Sequence, residues 1–248
     1  MKLSLVITFL NEESTILKLL ESIEESSKLP DEVVLVDGGS TDSTVRIIRK
    51  YLESNSRFSK NTKLLQKEGN RAKGRNYGVE NSGGDVILFT DAGCLLNMNW
   101  VLQISQPFTN REIDVVAGYY KGSPENNFGK SLVPYVLVMP EKLDAQNFLP
   151  ATRSMAIRKK VFEKIGGFDE NLSHNEDYAF AKLLEKENIK SKFQENAIVY
   201  WTPRKTVKQA FIMFRRFAYG DIEAGIVRPK VVLLFARYIV FLALLAVL

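Results

Sequence analysis

Two apolar runs of this chain each end on an aspartate, and that arrangement limits the fold more than any other feature. Val33-Val34-Leu35-Val36 leads into Asp37-Gly38-Gly39-Ser40-Thr41-Asp42, and Val86-Ile87-Leu88-Phe89-Thr90 leads into Asp91-Ala92-Gly93. Short continuous apolar runs closed by Gly and Asp read as strands buried on both faces. Helical patterns alternate with them. Residues 3–9 read as a strand and 13–26 as a helix, with Ile16, Leu19, Leu20 and Ile23 on one face. Pro30 separates that helix from the strand 33–37. The segment 40–42 can cap a helix striped by Val45, Ile48 and Leu52. A short strand at 64–65, a helix over 71–81 and a turn at 82–85 complete the alternation. Strands joined by helices predict an α/β fold with a mostly parallel central sheet, whose ligands bind at the carboxyl ends of the strands. Asp37 and Asp91 are therefore expected at one edge.

Beyond Val115 the pattern is irregular. Residues 118–147 mix Gly, Pro, aromatic and charged residues and read as loops of an acceptor-side subdomain. A short helix at 161–165 ends at Gly166-Gly167. A helix over 175–188 opens with Glu176-Asp177, and a strand spans 191–199.

Four elements carry chemistry. The carboxylate of Asp37 can accept hydrogen bonds from a uracil or ribose, and Gly38 lets backbone approach a ligand. Asp91 can bind Mg²⁺ or Mn²⁺, since hard cations take oxygen ligands. Arg71 and Arg75 lie one helical turn apart and can reach a departing diphosphate. The carboxylates of Glu176-Asp177 at a helix start can take a proton from an acceptor hydroxyl. Taken singly, each has a plain structural reading as a cap, a turn or a solvated charge.

Composition limits the partners. The chain has 248 residues, a formal net charge of +5 and one cysteine. One cysteine allows no intrachain disulfide, and Cys94 has no His-Asp set to make it a nucleophile, so it reads as a packing residue. The single histidine, His174, reads as an ordinary side chain near the acidic pair. The basic balance suits nucleotide diphosphates or anionic lipid. No interleaved basic and aromatic stripe supports nucleic-acid binding, except near 205–219. Asn11-Glu12-Glu13 stands where a dinucleotide-binding strand would carry Gly-x-Gly-x-x-Gly, which excludes that class.

The C-terminal region has a different character. Residues 206–225 form a basic helix with Val207, Phe211, Phe214, Phe217 and Ala218 at helical spacing, suited to a membrane interface or to packing on the domain. Residues 231–248 are apolar except for Arg237 and Tyr238 and read as a transmembrane or in-plane membrane helix, with a core or dimer helix as the alternative. The N-terminus does not read as a signal peptide. The cations at 204–230 place the catalytic domain on the cytoplasmic side.

Together and in this order, the elements resemble family 2 glycosyltransferases. The motifs that carry the resemblance are Phe89-Thr90-Asp91-Ala92-Gly93, Arg153-Ser154-Met155-Ala156-Ile157-Arg158, and Gly166-Gly167-Phe168-Asp169-Glu170 leading to Glu176-Asp177. Matching pieces run from Leu3 to Trp201. The resemblance implies the GT-A nucleotide-diphospho-sugar transferase fold over 1–203, with a nucleotide-binding half at 1–117 and an acceptor-side half at 118–203. It implies an inverting transfer from a nucleotide-diphosphate sugar, UDP- ahead of GDP- or dTDP-, to a glycan or lipid-linked acceptor at a membrane. Thr8, Leu10, Glu12, Asp37 and Gly38 would line the nucleotide site with Arg71 and Arg75. Asp91 would hold the divalent cation. Asp177 would be the base, beside Glu176. Arg153, Ser154 and Trp201 would face the acceptor. Two departures bear on the cation: the usual Asp-x-Asp is Asp91-Ala92-Gly93, and Tyr200-Trp201-Thr202 lacks a histidine often found after the last strand. The competing class is a non-catalytic sugar-nucleotide or glycan-binding protein with a decayed metal site.

Overall fold

A computed structural model describes residues 1–54 and 59–247. The elements run β1 (Leu3–Phe9), α1 (Ile16–Glu24), β2 (Glu32–Asp37), α2 (Thr44–Ser54), β3 (Thr62–Gln66), α3 (Arg71–Glu80), β4 (Val86–Phe89) and β5 (Cys94–Leu96). They continue with α4 (Trp100–Ser105), β6 (Val115–Gly122), α5 (Asn127–Val136), β7 (Met155–Arg158), α6 (Lys159–Lys164), α7 (Glu176–Lys186), β8 (Ser191–Trp201), α8 (Val207–Glu223) and α9 (Pro229–Val247).

All eight strands join one sheet in the order β3-β2-β1-β4-β7-β6-β8-β5. The first four run parallel, as the alternating pattern requires. The second half departs from the expected parallel sheet: β7 is antiparallel to both β4 and β6, and β5 is antiparallel to β8, while β6 and β8 are parallel. The sheet is therefore mixed. The chain reverses direction over α5 and the segment 137–154, so β7 returns antiparallel to β6. The expected loops at 118–147 are corrected too. β6 continues to Gly122, and α5 covers Asn127–Val136. Gly118 and Gly122 lie in β6 and Gly129 and Pro134 in α5, while Pro124 and Pro140 stand outside both elements.

The core follows the apolar runs. Leu5, Ile7, Leu35, Leu88 and Trp100 are fully buried, and α1 turns its predicted stripe of Ile16, Leu19, Leu20 and Ile23 inward. Helix α3 lies unusually close to β1 and β2. A Cβ at Gly74 would sit 2.8 Å from Thr8 Cγ2, and one at Gly78 would collide with Val6. Glycines here cost helix propensity, about 1 kcal/mol each relative to Ala, but permit the close approach that sets the buried side of α3 against the sheet.

The C-terminal helices are only partly as expected. α8 forms from a capped start, with Thr206 accepting from Gln209 N. Its Ala210, Met213 and Gly220 are buried, whereas Val207, Phe211, Phe214 and Ile222 are exposed. α9 has 19 residues, a rise of about 28 Å at ~1.5 Å per residue, against a hydrocarbon core of about 30 Å. It carries Arg237 near its middle. Among the described residues no helix is long and apolar enough to cross a membrane, so the expected transmembrane segment is not supported. Its last residue, Leu248, lies outside the described residues.

Candidate active site

The carboxyl edge of β2, β1 and β4 collects the strand-end acids. Phe9 pairs with Asp37, and Val6 pairs with Phe89, two residues before Asp91. Asp37 and Asp91 thus flank the end of β1 on the same edge. Asp37 is 5% exposed, and its Oδ1 accepts from Ser40 N at 2.9 Å, closing its own turn. Gly38 donates its N–H to Phe9 O at 2.9 Å, binding that turn to β1. Thr8 is half-buried beneath Gly74, Leu10 is exposed, and half-buried Glu12 accepts from the Thr15 hydroxyl.

Arg75 organises the centre. Its side chain is 4% exposed; one arm donates to Asp91 Oδ1 at 2.9 Å and the other forms an ion pair with Glu176. Its guanidinium also lies over the Phe168 ring, 5.5 Å from the centroid. Phe168 is held on α3 by Asn76, which accepts from Phe168 N at 3.0 Å and donates to Phe168 O at 2.9 Å. Asn70 caps α3 and also donates to Glu170 O at 2.7 Å and Leu172 O at 2.9 Å. The loop that carries the acidic pair is therefore moored to α3 by two asparagines that sequence reasoning did not single out. Their only signal was proximity to the Arg-rich motif.

Arg75, Glu176, Ser154 and Trp201, all singled out from sequence, are buried in the structure. Arg75 does not stand open to a diphosphate beside Arg71: Arg71 is exposed, and Arg75 is buried with both arms engaged. Glu176 is buried in that ion pair and holds the site together rather than facing an acceptor. Ser154 is fully buried; it accepts from Trp100 Nε1 at 2.8 Å and donates to Ala197 O at 3.0 Å, so it is a core link and not an acceptor contact. Trp201 also packs in the core, 8% exposed, with one ring face turned to Arg153.

Arg153 is different. Its guanidinium is set between Tyr120 and Trp201, 5.5 and 5.4 Å from the ring centroids. Its Nε lies 4.0 Å from Asp91 Oδ2 and has no hydrogen-bond partner among the described residues. Burial alone would raise the Asp91 carboxyl, but Arg75, Arg153 and Arg71 together hold it below the usual carboxylate range. The Asp177 carboxyl moves the other way. Burial and the neighbouring Glu176 charge raise it, against the pull of Arg75 and Arg153. Two carboxylates in one site thus have their proton affinities pushed apart, a pattern found where acid and base roles are divided. Arg204 and Arg216 join the rim. Partial burial and the like charges of Arg71, Arg216 and Arg153 lower the proton affinity of Arg204, opposed by Glu12. No sequence spacing connects these arginines, because they come from separate elements. His174 stands nearby, and partial burial with Arg216 and Arg71 keeps its ring toward the neutral form. Cys94 is fully buried, and burial raises its thiol, in keeping with a packing role.

Among the described residues no three His, Cys, Asp or Glu side chains converge to hold an ion. Asp91 is the single carboxylate at the position the family resemblance gives the cation. That donor set fits an ion delivered with a diphosphate, since Mg²⁺ typically uses one or two carboxylates plus phosphate oxygens and water.

Comparison with known proteins gives the family and the fold. The chain belongs to the family described as Glycosyl transferase family 2, whose profile matches residues 4–166. It is 27% identical over 188 residues to the glycosyltransferase AglE of Haloferax volcanii, covering 72% of this chain and 60% of that protein. It is 27% identical over 228 residues to the O-antigen chain rhamnosyltransferase RfbN of Salmonella typhimurium, covering 85% and 71%. Among solved structures, the mannosyltransferase PcManGT of Pyrobaculum calidifontis, in complex with GDP-Man and Mn²⁺, matches at a TM-score of 0.70 and 18% identity, over 90% of this chain and 62% of that one. Staphylococcus aureus TarS 1–349 with UDP-GlcNAc matches at 0.66 and 23% identity, over 90% and 66%. These structural likenesses establish the GT-A fold.

Proposed function

We propose that the chain is the catalytic part of an inverting glycosyltransferase that moves a sugar from a nucleotide-diphosphate donor to a hydroxyl of a glycan or lipid-linked acceptor. The observation that carries this reading is the Arg75 bridge. It ties Asp91, at the end of β4, to Glu176, at the head of α7, next to Asp177, whose carboxyl is raised by burial and by the charges of Glu176 and Asp91. In the reaction, the Asp177 carboxylate takes the proton of the acceptor hydroxyl as that oxygen forms a bond to the anomeric carbon. The bond from that carbon to the diphosphate breaks on the opposite face. The negative charge leaving on the diphosphate meets Arg71, Arg153 and Arg204. Thr8, Leu10, Glu12, Asp37 and Gly38 line the nucleoside end. A divalent cation, Mg²⁺ or Mn²⁺, would be held by Asp91 together with the diphosphate. It would supply electrostatic stabilisation of the leaving group.

UDP-sugars are the favoured donors. TarS supports this with UDP-GlcNAc, while PcManGT, with GDP-Man, keeps GDP-sugars in the comparison. The names of RfbN and of the Rhizobium meliloti succinoglycan biosynthesis protein ExoA support a growing polysaccharide as acceptor. Contact with a membrane surface is part of the reading, supported by the exposed apolar side chains of α8 and α9.

The test begins with a panel of UDP-, GDP- and dTDP-sugars screened for thermal stabilisation, since a ligand that binds only the native state raises stability by mass action. The stabilising donor is then followed for turnover in wild type and Asp177→Asn. The variant is expected to bind nucleotide as wild type does and to lose about 10²–10⁴-fold in turnover, the range of general-base catalysis. Near-native turnover in Asp177→Asn would remove Asp177 from the role. Nucleotide binding with no turnover by wild type in the presence of Mn²⁺ would favour a non-catalytic binding protein.

A further inference from the structure

The segment leading into Asp177 rests on α8 rather than on its own helix. Asn175 sits in the left-handed region at φ 58°, and its side chain makes no capping bond to α7. Instead its Nδ2 donates to Phe217 O at 2.9 Å and to Asp221 Oδ1 at 2.8 Å, both on α8. Asp221 also accepts two bonds from Arg228, from Nε at 2.6 Å and from a terminal nitrogen at 2.8 Å. The Arg228 guanidinium lies 4.5 Å above the Tyr178 ring. Two residues along α8, Glu223 accepts from Ser173 N at 3.1 Å and from the Ser173 hydroxyl. At Gly220 the two segments touch so closely that a Cβ would lie 2.7 Å from His174 Cβ and 3.0 Å from Asn175 Cγ.

Residues 173, 174, 175 and 178 are thus all fixed by α8 or by the residue that folds back on it. They bracket the Glu176-Asp177 pair on both sides. An asparagine at a helix start ordinarily caps that helix. Left-handed backbone is uncommon for a non-glycine residue, although asparagine adopts it more readily than most. Asn175 gives up the first and accepts the second, so a tertiary contact overrides local preference at this point. Backbone held against local preference in this way clusters at functional sites.

We propose that Asp221 is a positioning residue for glycosyl transfer. Through Asn175 on one side, and through Arg228 and Tyr178 on the other, it fixes the backbone that presents the Asp177 carboxylate to the acceptor. The inference rests on the reading of Asp177 as the base. It adds that the base is held by two independent clamps, Arg75 on Glu176 from α3 and Asp221 on Asn175 from α8.

The experiment compares full-length wild type, Asp221→Asn, Gly220→Ala and Asp177→Asn. UDP binding is titrated by calorimetry in the presence of Mn²⁺ to count competent sites. Turnover is read as nucleoside diphosphate released from the donor chosen by the panel, with water as the acceptor. In Asp221→Asn, kcat per nucleotide-binding site is expected to fall about tenfold to hundredfold, the size of a misplaced catalytic group. The donor KM is expected to stay at the wild-type value. Gly220→Ala, which disturbs the same contact without changing charge, is expected to shift kcat in the same direction. If both variants keep wild-type kcat while Asp177→Asn is inactive, the positioning inference fails and the base assignment stands. If kcat falls only in proportion to lost UDP sites, Asp221 is a folding residue and the inference fails. If Asp177→Asn itself turns over normally, the reading beneath it fails.

Discussion

Arg75 and Glu176 form an ion pair across 101 residues of chain, with each side chain 4% exposed. Two charges at that depth persist only because each has a partner. Removing one partner of such a pair costs about 3–5 kcal/mol, chiefly because the other charge is left buried and unpaired. Arg75→Gln leaves both Glu176 and Asp91 without the guanidinium. It is expected to lower urea-unfolding stability by about that amount. Glu176→Gln is expected to cost less, because Arg75 keeps Asp91 at 2.9 Å. Equal losses in the two variants would contradict the bridging role.

The same pair sets a pH dependence. Burial first, then the Glu176 charge, raises the Asp177 carboxyl. A base must be deprotonated to act, so activity falls as pH drops through that raised value. The acid limb of kcat/KM is expected above the ordinary aspartate value of about 3.9. Glu176→Gln removes a neighbouring negative charge and frees Arg75 to favour the carboxylate. It is therefore expected to move the acid limb to lower pH. A limb that stays in place, or moves upward, would show that another group governs it.

Ser154 illustrates a residue whose motif suggests chemistry and whose bonds indicate structure. Its hydroxyl links Trp100 on α4 to Ala197 on β8. Ser154→Ala leaves the buried indole N–H and carbonyl unpaired, at about 1–3 kcal/mol. The expected result is a lower melting temperature with acceptor KM unchanged. A raised acceptor KM at unchanged stability would return Ser154 to the acceptor side.

The parallel half of the sheet was legible because β2 and β4 are continuous apolar runs leading to Asp37 and Asp91, and α1 between β1 and β2 has a clean apolar stripe. The second half was not. β7 and the end of β6 are short, and their neighbours are fixed by chain reversal rather than by periodicity. At the site, the shared edge of Asp37 and Asp91 could be expected from the strand pattern, whereas Asp177 was singled out only through the family resemblance. The state of Arg75 could be read from neither. Its i,i+4 relation to Arg71 describes an isolated helix surface, whereas burial against Phe168 and pairing with acids from two other segments depend on the assembled fold. Asn70, Asn76 and Asp221 were missed for a similar reason. Polar residues that moor loops to helices look like surface residues until their partners are known.

Glu32 offers a stability prediction away from the site. It is 7% exposed and accepts from Lys63 at 2.7 Å, from Gly83 N at 2.7 Å and from the Ser4 hydroxyl. Burial would raise its carboxyl, but these partners outweigh it and bring the value down to about 2 from an ordinary 4.5. A depressed carboxyl contributes stability that is fully present above its unfolded value and is lost as pH falls through its folded value. The window is therefore pH 4.5 down to about 2. Wild type is expected to lose on the order of 2 kcal/mol more than Glu32→Gln across it. The difference between their urea midpoints should narrow as pH falls. A difference that is constant with pH would mean that packing, not ionisation, makes Glu32 matter.

The last prediction concerns the outer side of α8. Val207, Phe211, Phe214, Ala218 and Ile222 recur at steps of four, three, four and four, so they form one stripe. Val207 is 71% exposed, Phe211 66% and Ile222 79%. Exposed Lys208 and Arg215 lie on the adjacent face. The buried stripe of Ala210, Met213 and Gly220 is a separate one, turned to the domain and to the loop before Asp177. A helix with an apolar stripe bordered by cations lies in the plane of an anionic bilayer, drawn by buried apolar area and by charge together. The protein is expected to co-sediment with phosphatidylglycerol-containing vesicles. It should bind neutral vesicles less, and anionic vesicles less at high salt, because screening weakens the charge component. Phe211→Ser combined with Phe214→Ser should reduce binding several-fold while leaving nucleotide binding unchanged, since neither side chain is among those placed at the site. If wild type ignores anionic vesicles at low salt, α8 does not contact a membrane in this way. If the double variant binds as wild type does, the contact lies elsewhere, with the exposed apolar residues of α9 the next surface to test.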